Sequence, residues 1–570
     1  MKFLGYRKES RRQEKVTERI WRIISSNKIN LKFLICFMLQ RFILCLLLFA
    51  SSATQAQTYR YLILFKDKAS STYSLNNPEA FLSSKSLERR RKNRVVLTSQ
   101  DLPVSKNYLD QLKATGASIL FPLKWVNGAI IAQKPSDLKK TLALSCVKGL
   151  YWNFPADSSQ ANQIQSGILS NSISPDYGNS STQINQLGID QMHAKNILGQ
   201  GSLITLLDDG FKLANSVSYL QNTFTEKRVI ATLTTDPTVS SVYTSGGHGT
   251  NVLSTIAGYE SGKLIGTAYK ASFALAQTEE SGHELIVEEA NWLRGAEWAD
   301  SLGTDIISSS LGYSTFDNPL HNHSYADMNG KSTLVSKAAG WAASKGILVN
   351  ISAGNEGANS WKYITAPADA DSILTVGSVT ALGSKSSFSS IGPSFDGRVK
   401  PDVVAMGSST VVGYLDGAIG ISNGTSFSAP LIAGLAAGLL QTFPRHTAQQ
   451  IRNALLKSGT QFAKTDMLLG FGIPNYDKAI AAMELILENE PDASKLLIYP
   501  NPISPGSAIH ISMPYSAAEV ELLNSAGAVV HTFRLNQSES TIYLGPFVSG
   551  KYYFRFTTES TSITKPVLLL

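Results

Sequence analysis

Between residues 183 and 486 the chain repeats one pattern. A short apolar run breaks off in small or polar residues, and a longer amphipathic stretch follows. The runs are "SLITLLDD", "SFALAQT", "DIISSSLG", "ILVNISAG" and "ILTVGSV". Between them lie helix-like stretches such as "ELIVEEANWLRGAEWADSLG" and "STLVSKAAGWAASKG". The runs are continuously apolar, as strands buried on both faces are. Alternation of such strands with helices predicts an α/β fold, a doubly wound, mostly parallel sheet covered on both faces. Sheets of this kind gather their ligands at the carboxyl ends of the strands. The informative residues are therefore those that follow each run.

Those residues form a set. "SLITLL" ends in Asp208-Asp209-Gly210. "GGHGTNVLSTIAG" puts His248 at a helix start. "NISAGNEG" puts Asn355 after a strand, and "NGTSFSAPLIAG" puts Ser426 at the head of an apolar helix. Taken alone, Ser426 reads as a helix-start residue, since Ser and Thr cap helices and Pro suits the first turn. Beside the other three it reads differently. A serine hydroxyl is a poor nucleophile until a base takes its proton. Histidine titrates near neutrality and suits that task. A buried carboxylate fixes the imidazole tautomer and stabilises the imidazolium. A side-chain amide aimed at a developing oxyanion lowers the barrier.

These segments, in the order Asp, His, Ser, resemble the subtilisin-type serine peptidases. The resemblance spans roughly residues 177–486 and rests on "LLDDGF", "GGHGTNVLSTIAG", "SAGNEG" and "NGTSFSAPLIAG". It implies a secreted endopeptidase that cleaves polypeptide substrates, with Asp208, His248 and Ser426 as catalytic residues and Asn355 in the oxyanion hole. "DIISSSLGY" resembles the strand lining the substrate cleft, which implies Ser310, Leu311 and Gly312 as substrate-binding residues. The family's Asp-x-Gly pattern selects Asp208 over Asp209, which stands where Ser or Thr is usual. Asp209 itself is expected to be a turn residue bonded to its own backbone. Asn251 departs from a position that is often a second, non-catalytic histidine in the family. Many relatives bind calcium, so the resemblance leaves a structural calcium open, but no acidic loop here has ligand spacing and no metal ligand is assigned. The alternative is an inactive scaffold of the same fold acting as a cell-surface binding protein.

The flanks fit that resemblance. Residues 1–57 carry 11 Lys/Arg against 3 Asp/Glu, and residues 58–176 carry 16 against 8, whereas the rest carries 24 against 32. The net charge of +8 thus describes an N-terminal export segment and a basic middle piece on an acidic body, and gives no reason to expect nucleic acid. Opposite charges would steer the middle piece onto the body. Residues 1–56 read as the export segment, with "FILCLLLFASSATQAQ" as its apolar and cleavage regions. Met38 would open a signal peptide of ordinary length. Residues 58–152 alternate strand and helix as a small α+β unit of ferredoxin-like type and resemble the family's inhibitory prodomain, a partner in cis. Residues 153–182 read as a linker holding the processing site. Residues 495–570 turn to short alternating strands, a small β-sandwich. With "YPNP" at 499–502 they resemble the C-terminal sorting module of Bacteroidetes type IX secretion cargo. That implies export to the medium or the outer cell surface, with the secretion machinery as partner. A monomer is expected. Of the three cysteines, only Cys146 lies beyond the export segment, so no intrachain disulfide forms there. "HNH" at 321–323 is expected to be a solvated loop, because no cysteine or carboxylate stands in register with it. "HELIV" lacks the second histidine of a metallopeptidase helix, Val287 standing in its place.

Overall fold

The computed structural model describes residues 58–69, 71–152, 154–155, 176–280, 282–488, 496–504, 506–525, 527–545, 547–558 and 562–570. The export segment 1–56 and most of the linker 153–182 lie outside the described residues. Four strands open the chain: β1 (Tyr59–Phe65), β2 (Ser118–Leu123), β3 (Gly128–Gln133) and β4 (Val147–Leu150). They pair antiparallel in the order β2-β3-β1-β4. Helices α1 (Ser84–Lys92) and α2 (Lys106–Ala114) fall between β1 and β2, and α3 (Pro135–Leu142) falls between β3 and β4. This is the split βαβ arrangement of ferredoxin-like units. The sequence suggests one helix over 78–93. It is interrupted at 81–83 because Ser83 caps α1, its hydroxyl accepting the Ser86 N–H at 3.1 Å.

"YLILF" at 61–65 is apolar throughout because both faces of β1 are covered. Tyr61, Ile63 and Phe65 pack with Leu112 in the core of the small unit. Leu62 faces the other way, with Phe121, Leu123 and Ile130, into a cluster shared with Trp292 and Leu293. Period-two alternation puts neighbouring residues on opposite faces, so such a strand needs two apolar layers.

The large sheet has seven parallel strands. They are β5 (Leu203–Asp208), β6 (Val229–Thr234), β9 (Ser272–Gln277), β10 (Ile306–Ser309), β11 (Leu348–Ser352), β12 (Leu374–Val379) and β13 (Val403–Met406). A small hairpin, β7 (Tyr259–Glu260) with β8 (Leu264–Ile265), lies apart from the sheet. The order is β13-β12-β11-β10-β5-β9-β6. β6 and β13 are not among the five strands expected from sequence. Helices α4 (His248–Ala257) and α7 (Thr425–Thr442) share one core with Ile204 and Leu206. Helices α5 (Val287–Leu302) and α6 (Leu334–Ser344) cover the other face with Leu207 and Val349. A second hairpin, β14 (Thr410–Gly413) with β15 (Ile419–Ser422), precedes α7; helices α8 (Ala448–Lys457) and α9 (Tyr476–Glu488) follow it.

From residue 497 the chain is all strand. β16 (Leu497–Tyr499), β17 (Ala508–Ser512) and β20 (Glu539–Tyr543) form one antiparallel sheet. β18 (Ala518–Leu523), β19 (Val529–Leu535), β21 (Gly550–Thr557) and β22 (Ser562–Leu569) form the other. Ile509 and Ile511 of the first sheet meet Val520, Phe554 and Phe556 of the second in one core. Among the described residues no helix is long and apolar enough to cross a membrane.

Candidate active site

β5 stops at Asp208, which is 1% exposed. Thr278, just past the end of neighbouring β9, donates its N–H to the Asp208 carbonyl at 3.0 Å. The Asp208 side chain turns to the start of α4, where its Oδ1 lies 2.7 Å from His248 Nδ1. That contact assigns the Nδ1 proton to the carboxylate and leaves Nε2 as the basic nitrogen. Burial alone would lower the His248 pKa. The Asp208 charge and hydrogen bond, with Asp209 and then Glu279 beyond it, outweigh burial and raise it to about 9.

α7 brings up the hydroxyl. Its first turn is Thr425-Ser426-Phe427, preceded by Gly424 at φ 151°, a backbone region that favours glycine. The Phe427 ring lies 5.9 Å from the His248 ring, so Ser426 and the imidazole occupy one corner of the molecule. Asn355 follows β11 on a short loop. Its Oδ1 accepts the Thr425 N–H at 2.9 Å and the Thr425 hydroxyl at 3.0 Å. Both bonds fix which way the amide points. Its Nδ2 stands beside Gly424, where a methyl group added to the glycine would lie 3.7 Å away.

Ser310, Leu311 and Gly312 continue β10 into the same corner. The Ser310 hydroxyl donates to the Ser426 carbonyl at 2.9 Å. Tyr313 exchanges backbone hydrogen bonds with Ala366, which holds the segment extended. Gly312 has no room for a side chain, since a Cβ there would sit 2.3 Å from Thr365 Oγ1. All seven residues singled out in the sequence thus lie on strand ends, or helix starts, at one end of the sheet.

The structure adds two acidic neighbours. Asp209 does not bond its own backbone as expected. Its carboxylate reaches 38 and 40 residues ahead to the N–H groups of Gly247 and Gly249, each at 3.2 Å. The side chain is drawn to the four unpaired donors of a helix start. Burial first, and then the Asp208 charge, raise the Asp209 pKa to about 6. Glu279, just beyond β9, accepts the Tyr313 and Thr278 hydroxyls at 2.7 and 2.9 Å, and burial pushes its pKa up. Neither role carries a local sequence signal, because each depends on segments that meet only in the fold. Among the described residues, Asp208, Asp209 and His248 are the one grouping of three or more His, Cys or carboxylate donors within reach of one another. Asp208 Oδ1 serves the ion pair and both Asp209 oxygens serve the helix start, while Asp208 Oδ2 is buried without a hydrogen-bond partner among the described residues.

The "HNH" loop is not solvated throughout. His321 is buried with its ring stacked 4.2 Å from Phe154, and His323 pairs with Glu289. The apolar ring of Phe154, absent from the local sequence, shields it. Trp292 of α5 is a core residue, its indole N–H bonded to Ser309 Oγ at 3.0 Å.

Three stretches of the chain match known families. Residues 199–472 match the Subtilase family, residues 60–166 the Peptidase S8 propeptide domain of Bacteroidota, and residues 497–569 the secretion system C-terminal sorting domain. Subtilisin DY of Bacillus licheniformis is 32% identical over 239 residues, which is 41% of this chain and 77% of that protein. Subtilisin NAT of Bacillus subtilis subsp. natto is 29% identical over 301 residues, 52% of this chain and 70% of that protein. Subtilisin of Bacillus pumilus is 29% identical over 301 residues, 52% of this chain and 97% of that protein.

Proposed function

Because the chain belongs to the subtilase family, a secreted or cell-surface, subtilisin-like serine endopeptidase made with a propeptide and a sorting domain, we propose that Asp208, His248, Ser426 and Asn355 carry its hydrolysis of polypeptides. The observation that supports this best is the 2.7 Å bond from Asp208 to His248 at the corner where α7 delivers Ser426. Ser426 Oγ attacks the peptide carbonyl and gives its proton to His248 Nε2. Asp208 holds the ring and stabilises the imidazolium. The carbonyl oxygen becomes an oxyanion, which the Asn355 Nδ2–H and the Ser426 N–H receive. His248 then protonates the leaving amine, and the C–N bond breaks. Water repeats the sequence on the acyl-enzyme and restores Ser426. Ser310, Leu311 and Gly312 offer backbone groups along which an extended substrate pairs as an added strand. The prodomain, residues 58–152, covers the enzyme in cis until the chain is cut within 153–182. The working form is a monomer, and the sorting module is what the secretion machinery reads.

The experiment is intact mass on the chain expressed without residues 1–56, wild type beside Ser426→Ala, with a fluorophosphonate added to both. The reading expects wild type to cut itself within 153–182 and to take up the probe at Ser426, and the variant to do neither. An inactive scaffold predicts no uptake in either. Equal cutting in both, with no probe on wild type, would sink the assignment.

A further inference from the structure

Asp209 and Glu279 are carboxylates at this site that the proposed mechanism leaves unused, and Asp209 is the one bonded to the backbone around His248. It stands next to Asp208, yet its two oxygens straddle His248 in sequence, Oδ2 on the Gly247 N–H and Oδ1 on the Gly249 N–H. The backbones it joins are in direct contact. Gly210 has φ 143° and no room for a Cβ, which would lie 1.9 Å from the Ser245 carbonyl. Gly246 has φ 59°, and a Cβ there would lie 2.2 Å from the Asp209 carbonyl. Gly249 packs against Asp208 itself, 2.9 Å from a Cβ on the glycine to the Asp208 Cβ. The Lys212 N–H closes the same junction on the Gly246 carbonyl at 2.8 Å. A strand end and a helix start have been brought so close that only glycines fit, and one side chain clasps them.

We propose that Asp209 is a positioning residue for the general base: its carboxylate clasps the backbone on both sides of His248, fixes the imidazole against Asp208, and places a second negative charge beside the imidazolium. This rests on the proposed role of His248. A serine or threonine at this position has one oxygen where the carboxylate has two, so it does not give each N–H group an acceptor of its own. The carboxylate also meets the positive end of α4, where an anion is favoured. The charged groups facing His248 are Asp208 and Asp209 from the end of β5 and Glu279 from beyond β9, while α7 contributes the uncharged Phe427. Removing one of three negative charges lowers the pH at which the imidazolium gives up its proton. Removing the clasp lets the ring wander from a geometry that catalysis requires to within a fraction of an ångström.

Two variants separate the two effects. Asp209→Asn keeps the shape and one acceptor oxygen but not the charge. Asp209→Ala loses both. The full-length enzyme and each variant, brought to the same stage of processing, are assayed on a chromogenic tetrapeptide amide from about pH 5 to about pH 10, resolving kcat and KM. Asp209→Asn moves the acid limb of kcat/KM to lower pH by about one unit. Asp209→Ala moves it too and lowers kcat about 10-fold or more with KM nearly unchanged. A loosened helix alone does not move the limb in the asparagine variant. An acid limb and kcat equal to wild type in both variants would overturn the proposal. If the alanine variant does not fold, an unmoved limb in Asp209→Asn overturns it alone. Fluorophosphonate uptake at wild-type Ser426 keeps the two failures distinct: uptake with an unmoved limb ends only this inference, and no uptake ends the proposed function with it.

Discussion

Asn355 is held by one end of its amide. Thr425 takes the oxygen with two donors, so the Nδ2 donor faces the helix start that carries Ser426. Asn355→Ala removes that donor and leaves Thr425 to find another acceptor. kcat should fall about 100- to 1000-fold with a much smaller change in KM, the size of loss known when subtilisin loses its own oxyanion amide. Steady-state kinetics on one peptide amide checks it, and an unchanged kcat removes Asn355 from the mechanism. The pH profile belongs to the same scale. A general base must be neutral, and the His248 pKa is raised to about 9 by the carboxylates around it despite burial. The imidazole therefore stays protonated to higher pH than usual, and kcat/KM should climb on the alkaline side of the ordinary histidine value of about 6.5. A limb centred below that value would show that the carboxylates do not control the imidazole. The types and order of these residues were legible in the sequence, because each follows a strand and each chemistry needs its residue type. The partners of Asp209 and Glu279 were not, since they lie tens of residues away across a junction of loops.

α7 shows how the elements enforce this corner. Residues 425–440 of the helix are buried, and two of its glycines pack directly against side chains of other segments. A Cβ on Gly434 would lie 1.8 Å from Thr267 Oγ1, and one on Gly438 would lie 2.1 Å from Met192 Sδ. Gly434→Ala should therefore overpack the core and destabilise the chain by about 1–3 kcal/mol, read as a lower denaturant midpoint in a Ser426→Ala background where self-digestion cannot blur the transition. A midpoint equal to the parent would mean that Thr267 yields freely. The sequence announced α7 through its small apolar run, and it announced β5, β9, β10, β11 and β12 through runs buried on both faces. It was silent on β6, "VIATLT", because that edge strand is only partly covered and two of its six residues are threonines. It was silent on β13 because "VVAM" is short and follows a proline that reads as a turn. At β6 the missing signal is missing burial, whereas β13 is an edge strand buried throughout and lacks signal only through its length and its proline.

At the scale of the whole chain, the uneven charge read from the sequence becomes a buried contact. Asp300, on α5, is fully buried and meets three cations of the N-terminal unit: Arg89 at 2.5 Å, Arg90 at 2.8 Å and Lys124 at 3.1 Å. Asp101 and Lys345 extend the cluster through Arg90 and Asp101 at 3.0 and 3.2 Å. Beside it, the Glu297 carboxylate accepts the backbone N–H groups of Lys124 and Trp125 at 2.9 and 2.7 Å. Burial opposes the Asp300 charge, and the three cations outweigh it and hold its pKa below the usual carboxylate value. Such a depressed pKa contributes stability that is fully present above the unfolded value of about 3.9 and is lost only as pH falls through the folded value. Mild acid therefore leaves this contact intact. Asp300→Ala leaves Arg89 and Lys124 without an acidic partner and Arg90 with Asp101 alone, a change that costs about 3–5 kcal/mol when one partner of a buried pair is removed. The cut prodomain should then bind its peptidase at least about 100-fold more weakly, measured as inhibition of the processed enzyme by added prodomain. Wild-type inhibition of that variant would mean that the apolar layer of Leu62, Phe121 and Ile130 holds the two together and that the ions only set their register.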